Sequence, residues 1–200
     1  MKHLLVGLLL IFVTFTGRGQ SNDPRVENQF LINALWPGVA YEFGIAQHLS
    51  VRLDAATSLG VISFDGGGFD LYPRFDAQVR NYYNFKRRET KGKKVTGNSG
   101  NFYGVNLYYT SDVSLLGSDF EPDIGNIIAF GPASFETFYI GATYGLQRTY
   151  ASGFNWGLQL GIGVISVDFS DTSGGVTVTR ESSVYPNFRV TIGWVVGRKR

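Results

Sequence analysis

The chain alternates apolar and polar residues with a period of two over most of its length. In residues 154–166 the apolar positions are Phe154, Trp156, Leu158, Leu160, Ile162 and Val164, and the intervening positions are Asn155, Gly157, Gln159, Gly161 and Gly163. Residues 49–61, 71–85 and 187–196 have the same pattern. Because successive side chains of a β-strand point to opposite faces, each segment is predicted to be a strand with one apolar and one polar face. The pattern therefore predicts an all-β chain.

The segments predict eight strands, at residues 29–35, 39–45, 49–61, 72–85, 102–113, 135–146, 154–168 and 185–196. The first two are separated at Trp36-Pro37-Gly38, since proline cannot donate to a strand ladder and glycine permits a tight turn. If the chain instead runs straight through this tripeptide, seven strands remain, and residues 176–179 must supply an eighth. The predicted fold is a closed antiparallel transmembrane β-barrel of about eight strands, since bacterial single-chain barrels favour even numbers.

Alternation alone does not say which face points into the barrel, but the distribution of lysine favours a membrane barrel over a soluble one. A soluble barrel is expected to carry lysine and glutamate on its outer wall. Here the lysines all lie outside the predicted strands, at Lys2, Lys86, Lys91, Lys93, Lys94 and Lys199. The polar face is also small and rich in glycine, which suits a crowded barrel interior. We therefore expect the apolar face to point outward, toward lipid.

Aromatic residues are predicted to form two belts on the outer wall. Amphipathic rings collect at the depth of the lipid headgroups in transmembrane barrels. The residues expected at one rim are Tyr83, Phe85, Tyr103, Phe154, Trp156 and Trp194, and those at the other rim are Trp36, Phe75, Tyr109 and Phe138. Two such belts favour a transmembrane barrel over a soluble one.

The N-terminus has the composition of a secretory signal peptide. Lys2 and His3 precede an apolar stretch of thirteen residues, 4–16, which is too short to span a bilayer as a helix because about 20 residues are needed. Gly17 and Gly19 stand at the positions −3 and −1 of a cut before Gln20. We expect residues 1–19 to be removed and residues 20–200 to form one barrel domain. Without Lys2 and Arg18, the 18 basic residues fall to 16 and equal the 16 acidic ones. This balanced charge gives no indication of nucleic-acid binding.

Charged residues on the polar phase are predicted to form an ion network inside the barrel. They are Glu42, Arg52, Asp54, Arg74, Asp76, Arg80 and Arg189. An eight-stranded barrel is just wide enough for side chains to fill it. Buried charges are stable when paired, so these groups are expected to fill and rigidify the lumen. A narrow polar conduit for ions or small solutes is the alternative.

Two features outside the strands are candidate functional sites. Residues 86–100 (KRRETKGKKVTGNSG) are expected to form a flexible, solvated turn, with a phosphate-binding patch for lipid headgroups or for an anionic periplasmic partner as the alternative. His48 is the one histidine beyond residue 3 and is expected to be a solvated turn residue. A nucleophile–base pair would then need an unusual base, so no enzymatic activity is expected. No cofactor or metal site is predicted, and the absence of cysteine excludes thiol ligands.

The chain resembles the small OmpA/OmpX-type, porin-like outer-membrane β-barrels of Gram-negative bacteria. The resemblance rests on the signal peptide, the alternating strands and the arginine-bearing segment PRFDAQVRNYYNFKRR at residues 73–88. It implies a location in the outer membrane, contact with outer-membrane lipid and recognition by the barrel-assembly machinery during insertion. We expect a scaffold or surface-interaction protein with a plugged polar interior. The alternatives are the narrow channel and an exported soluble barrel that binds a small apolar ligand.

Overall fold

A computed structural model describes residues 25–61, 69–116, 136–171 and 177–197 of the chain. The predicted signal peptide, residues 1–19, lies outside the described residues. The elements are β1 (Gln29–Asn33), β2 (Gly38–Gly44), β3 (Leu49–Val61), β4 (Phe69–Asn81), α1 (Phe85–Thr90), β5 (Asn101–Thr110), β6 (Glu136–Thr149), β7 (Phe154–Asp171) and β8 (Thr177–Val196).

The eight strands form a closed barrel in which each strand pairs antiparallel with its neighbours in sequence, and β1 pairs with β8. The predicted number and direction of the strands are therefore confirmed. The chain turns at Trp36 and Pro37 between β1 and β2, so the predicted break is also confirmed. The seven-strand alternative is wrong, since residues 177–179 belong to β8.

The last two strands are longer than their sequence predicts. β8 begins at Thr177 rather than near residue 185, and it pairs with β7 over its whole length, placing Pro186 opposite Ile162. The carbonyls of Val190 and Ile192 face the β1 side of β8, where they accept hydrogen bonds. Pro186 is an even number of residues from Val190, so the N–H that it lacks would point to the same side of β8. β1 pairs with β8 only from Gly193 to Val196, so no described strand needs that N–H at Pro186. A proline is tolerated in a strand under that condition.

Polar residues line the interior of the barrel, and apolar residues cover its outer wall. β1 shows the pattern over five residues, since Gln29, Leu31 and Asn33 are buried while Phe30 and Ile32 are exposed. On β6 and β7, Ile140, Leu160 and Ile162 are 45%, 54% and 61% exposed, whereas Thr143, Gln147 and Gln159 on the opposite face are buried. This arrangement reverses the usual distribution of a water-soluble protein.

The two ends of the barrel differ in their connections. The lower end, as we name it, carries residues 45–48, 82–100 and 150–153 together with residues 25–28 before β1. The upper end carries the turn at residues 34–37 and residues 111–116, which follow β5. No helix within the described ranges is long and apolar enough to cross a membrane.

Gly104 marks a position where two strands approach so closely that no side chain fits. It lies on β5 opposite Arg80, and a Cβ added there would overlap the carbonyl oxygen of Val79. We expect Gly104→Ala to lower the free energy of unfolding by about 1–3 kcal/mol, because β4 and β5 must shift apart. Gly44→Ala is the control, since its nearest neighbour would lie 3.1 Å away. Urea unfolding in detergent measures both, and equal effects would contradict this explanation.

Candidate functional site

The structure places all seven charged residues of the predicted network inside the barrel. Their side chains come from β2, β3, β4 and β8, on the inward phase of each strand. Most are fully buried, and Arg74, with its side chain 16% exposed, is the most accessible of the group. For the other six, the exposed fraction of the whole residue, backbone included, is 0% for Glu42, 1% for Arg52, 4% for Asp54, 3% for Asp76, 1% for Arg80 and 7% for Arg189.

The upper part of the network is a cluster of three arginines and two aspartates. The register of β3 and β4 sets Asp54 directly opposite Asp76, so the two carboxylates lie side by side. Each aspartate is held by the arginine two positions before it on its own strand. Arg52 donates to Asp54 at 2.9 and 2.8 Å, and Arg74 donates to Asp76 at 3.0 Å through both Nε and Nη2. These are bidentate, charge-assisted contacts.

Arg189 joins the two aspartates from the other side of the barrel. Its Nη1 lies 2.9 Å from Asp76 Oδ1, and its Nη2 lies 3.6 Å from Asp54 Oδ1. Because β8 lies four strands away from β4 around the barrel, this contact crosses the lumen. The cluster therefore ties opposite walls together.

The lower part of the network is centred on Glu42. Its carboxylate accepts hydrogen bonds from Ser50 Oγ at 2.7 Å, Gln29 Nε2 at 2.8 Å and Tyr82 Oη at 2.8 Å. Arg80 Nη1 lies 3.9 Å from the same carboxylate. Tyr82 comes directly after the last residue of β4, and burial, together with the neighbouring Glu42 charge, raises the pKa of its phenol well above the ordinary value. The phenol therefore stays protonated and remains a donor.

Glutamines, which the sequence pattern does not single out, connect the two parts. Gln147 Oε1 accepts from Arg52 Nη1 at 3.2 Å and from Arg80 Nη1 at 3.1 Å, while Gln78 accepts from Arg80 Nε at 2.7 Å. Gln78 also donates to Gln159 at 2.9 Å. All of these residues lie on the polar phase, so their inward direction is visible in the sequence. Their hydrogen-bond partners depend on strand register, which the sequence does not reveal.

Aromatic rings complete the packing of the lumen. The Arg74 guanidinium lies 3.7 Å over the ring of Tyr108, whose other neighbour Tyr139 stacks on it at 4.8 Å between centroids. Arg80 lies 4.4 Å over Phe102. Such cation–π contacts stabilise a desolvated guanidinium. The amide of Asn106 and the hydroxyl of Tyr139 are buried with no hydrogen-bond partner in the described part of the chain.

The end of the basic segment closes the lower end of the barrel, so the prediction of a solvated turn is wrong for residues 97–100, whereas residues 86–94 are mostly exposed. Residues 85–90 form α1, and residues 97–100 are buried. Asn98 Nδ2 donates to the Glu27 carbonyl at 2.9 Å and its Oδ1 accepts from the Glu27 N–H at 2.8 Å. Thr149 Oγ1 donates to the Gly97 carbonyl at 2.6 Å. Gly97 and Asn98 both have positive φ, 63° and 55°, a conformation that Gly and Asn adopt readily.

Removal of the Asn98 side chain tests this closure. Asn98→Ala loses both bonds to Glu27 and places alanine at positive φ, so we expect the free energy of unfolding to fall by about 1–3 kcal/mol. Lys94→Ala, an exposed residue of the same segment, is the control and should change it by about 0.5 kcal/mol or less. Urea unfolding followed by tryptophan fluorescence gives both values. A loss as small for Asn98→Ala as for Lys94→Ala would contradict the closure.

Phe85 does not belong to an aromatic belt, contrary to the prediction. It is fully buried, and it stacks on Tyr82 and packs with Phe102 in a small core under the barrel. The chain leaves β4 after Asn81, so the strand alternation that would place Phe85 outside has already ended. His48 packs edge-on against Phe85, 6.0 Å between ring centroids, and is half-buried rather than solvated.

Most of the other aromatic residues of the predicted belts lie near the two ends of the barrel. At the lower end Tyr83 stacks on Tyr103, and Phe154 packs edge-on against Trp194. Tyr109 and Phe138 lie near the upper ends of β5 and β6, whereas Phe75, which pairs with Tyr109, is the middle residue of β4. Trp156 lies on the outward phase of β7, and Trp36 is half-buried in the upper turn, where its Nε1 donates to the Val190 carbonyl at 2.9 Å.

No cluster of three or more His, Cys, Asp or Glu side chains in the described residues could hold a metal ion. Comparison with known proteins found no matching family model, no similar curated protein and no similar solved structure. A function is therefore proposed from the chemistry of the barrel interior and of the outer wall.

Proposed function

We propose that the protein is an outer-membrane β-barrel, exported with a cleaved signal peptide at residues 1–19, that serves as a scaffold or surface-interaction protein. The observation that carries the proposal is the reversed polarity of the barrel. A charged interior together with exposed side chains such as Leu160, Ile162 and Phe188, at 54%, 61% and 64%, is unfavourable in water and favourable in lipid.

Several further features support a membrane setting. The rings of Tyr83, Tyr103 and Trp194 at the lower end, and of Phe138 at the upper end, bound the apolar wall as headgroup-depth aromatics do. The exposed cations of residues 86–94 lie just below the lower ring, where they could contact anionic lipid headgroups. The resemblance to OmpA/OmpX-type barrels agrees with a membrane location. In that setting the barrel-assembly machinery would insert the chain, with Trp194 near the end of the last strand.

An exported soluble barrel that binds a small apolar ligand is the competing candidate. Its interior would have to be apolar, whereas the groups that fill this interior are charged. Extraction of cell membranes at alkaline pH without detergent distinguishes the two candidates. We expect the protein to remain with the membranes and, after solubilisation, to migrate faster on gels before heating than after. Release into the aqueous fraction would contradict the membrane proposal.

We further propose that the barrel is closed rather than a channel. Arg52 and Arg80 cross the lumen to Gln147, and buried Asn98 and Ser99 close its lower end. Planar-bilayer recording is expected to show no stable conductance for the unmodified protein and none of large size for Arg80→Ala. A stable, ion-selective conductance of the unmodified protein that Arg80→Ala alters would instead favour the narrow channel.

A further inference from the structure

β1 and β2 end partway up the barrel, so the upper part of the wall, as far as the structure describes the chain, contains only the other six strands. β1 and β2 have 5 and 7 residues, whereas their outer neighbours β8 and β3 have 20 and 13. The uppermost hydrogen bonds of this short hairpin are two: the Pro37 carbonyl accepts from Thr57 N–H, and Trp36 Nε1 donates to the Val190 carbonyl. Above these bonds no backbone hydrogen bond joins β3 to β8 in the described residues. Across two absent strands, three spacings of about 4.8 Å would separate the axes of β3 and β8, about 14 Å in all.

A cavity of about 380 Å³ lies at this gap and reaches the charged cluster. Thr57 and Ser58 of β3 line one side, Tyr185 and Asn187 of β8 line the other, and Leu35 and Trp36 form the lower edge. Arg74, Arg189 and Tyr108 line its inner part. The volume lies within the range of about 300–1,000 Å³ that small-molecule sites occupy. Within the described residues, the cavity therefore reaches Arg74, whose side chain is 16% exposed, and contacts the buried Arg189 behind it.

The cluster behind the cavity has one positive charge more than it has negative charges. Arg52, Arg74 and Arg189 face two carboxylates, Asp54 and Asp76. Arg74 uses Nε and Nη2 on Asp76, and Nη1 makes no hydrogen bond in the described part of the chain. Asp70, the inward acid four residues away on β4, is about 13 Å distant along the strand. Its carboxylate already accepts the N–H groups of Leu71 and Leu116. A buried excess charge favours binding of an anion.

The rim of the cavity is apolar on its outer side. Leu35 is 48% exposed, Phe188 64% and Val184 71%. The apolar outer wall thus continues beside and above the gap, along β7 and β8. On the proposed location of the barrel in a membrane, the gap faces hydrocarbon rather than water.

We propose that this gap, which we name the lateral opening, is a binding site for a single-chain amphiphile with an anionic head group. A carboxylate or phosphate head binds Arg74 and Arg189 inside the barrel, beside the hydroxyls of Ser58 and Tyr185. The hydrocarbon chain leaves between β3 and β8 over Leu35 and Trp36, along the exposed ring of Phe188. The inference rests on the proposed membrane function, which places lipid chains at the opening.

Trp36 provides the measurement, because its indole lies at the lower edge of the lateral opening. The chain has three tryptophans, so Trp156→Phe with Trp194→Phe leaves Trp36 as the reporter. This variant, in non-ionic detergent, is titrated with stearate brominated near the middle of its chain, with the methyl ester of that acid, and with a brominated alkyl phosphate. We expect saturable quenching by the acid, the phosphate or both, and only linear, partition-type quenching by the neutral ester. The anion that saturates at the lower concentration identifies the head group.

Three substitutions in this background assign the site. Arg74→Gln should raise the half-saturating concentration about tenfold or more, since a charge-assisted contact is lost. Arg87→Gln, an exposed arginine of α1 at the lower end, should leave it unchanged. Asn187→Phe narrows the lateral opening while keeping both arginines and should also weaken binding, so the test does not depend on the stability of Arg74→Gln. Equal quenching by the ester, or unchanged binding by both Arg74→Gln and Asn187→Phe, would overturn the proposal.

This titration is independent of the test of membrane location. If the protein is released by alkaline extraction, the proposed outer-membrane function fails whatever the quenching shows. If the protein stays in the membrane and Trp36 is not quenched in a saturable manner, only the binding site fails.

Discussion

Asp76→Ala is expected to lower the free energy of unfolding by about 3–5 kcal/mol, because it leaves buried guanidinium groups without their carboxylate. Asp76 is the shared partner of Arg74, at 3.0 Å, and of Arg189, at 2.9 Å. Its side chain has no exposed surface in the folded barrel. Urea unfolding of the protein in detergent or in lipid vesicles, followed by tryptophan fluorescence, measures the change.

Glu136→Ala is the matched control for Asp76→Ala. Glu136 is an exposed acid that accepts a hydrogen bond from Tyr109 on the outside of the barrel. Its removal should cost about 1 kcal/mol or less. Adding Arg74→Gln to Asp76→Ala should restore part of the lost stability, because one unpaired charge is removed. If Asp76→Ala is as mild as Glu136→Ala, the interior network does not hold the barrel together.

Leu160→Arg is expected to destabilise the membrane-inserted barrel by about 2–4 kcal/mol, because it places a charge against hydrocarbon. Leu160 lies in the middle of β7, between Tyr144 on β6 and Phe188 on β8, and is 54% exposed. Leu158→Arg and Ile192→Arg, on the same outer wall, should lower stability by a similar amount. Folding into lipid vesicles over a range of urea concentrations, read by the heat-modifiable gel shift, gives the change.

Leu116→Arg separates the effect of lipid from the effect of a lost leucine. Leu116 is also 54% exposed, but it lies beyond β5 at the upper end and outside the strands. Arginine there is expected to change stability by about 0.5 kcal/mol or less. Equal costs at positions 116 and 160 would mean that the outer wall of β7 does not contact lipid.

Much of the fold could be predicted because one pattern, the period of two, determines both secondary structure and direction. β3, β7 and the break at Pro37 can all be inferred from local sequence. The polar phase also predicts that Arg52, Asp76 and Arg189 point to the same side. Each of these predictions needs only the neighbouring residues of the chain.

The parts that could not be predicted depend on contacts between distant residues. That Asp54 lies opposite Asp76, and that Gln147 links Arg52 to Arg80, results from strand register and barrel closure. The closure of the lower end is hidden in the sequence because residues 86–94 are rich in lysine and arginine, which is typical of solvated turns, whereas its buried contacts come from Phe85, Gly97 and Asn98. The lateral opening is also hidden in the sequence. It results from the difference in length between β1 and β8, and both lengths are known only from the structure.

The apolar face of the barrel is proposed to contact lipid, and the polar face fills the lumen. A spin-label scan tests this polarity most directly, because the chain has no cysteine that would react with the label. Single cysteines at positions 156, 158, 160, 162 and 164 of β7, and at the inward positions 155 and 159, are labelled after reconstitution in vesicles and report their accessibility to oxygen, which concentrates in lipid. We predict high accessibility at positions 156, 158, 160, 162 and 164 and low accessibility at positions 155 and 159. Uniform accessibility to a water-soluble relaxing agent at the same outward positions would contradict the proposed contact with lipid.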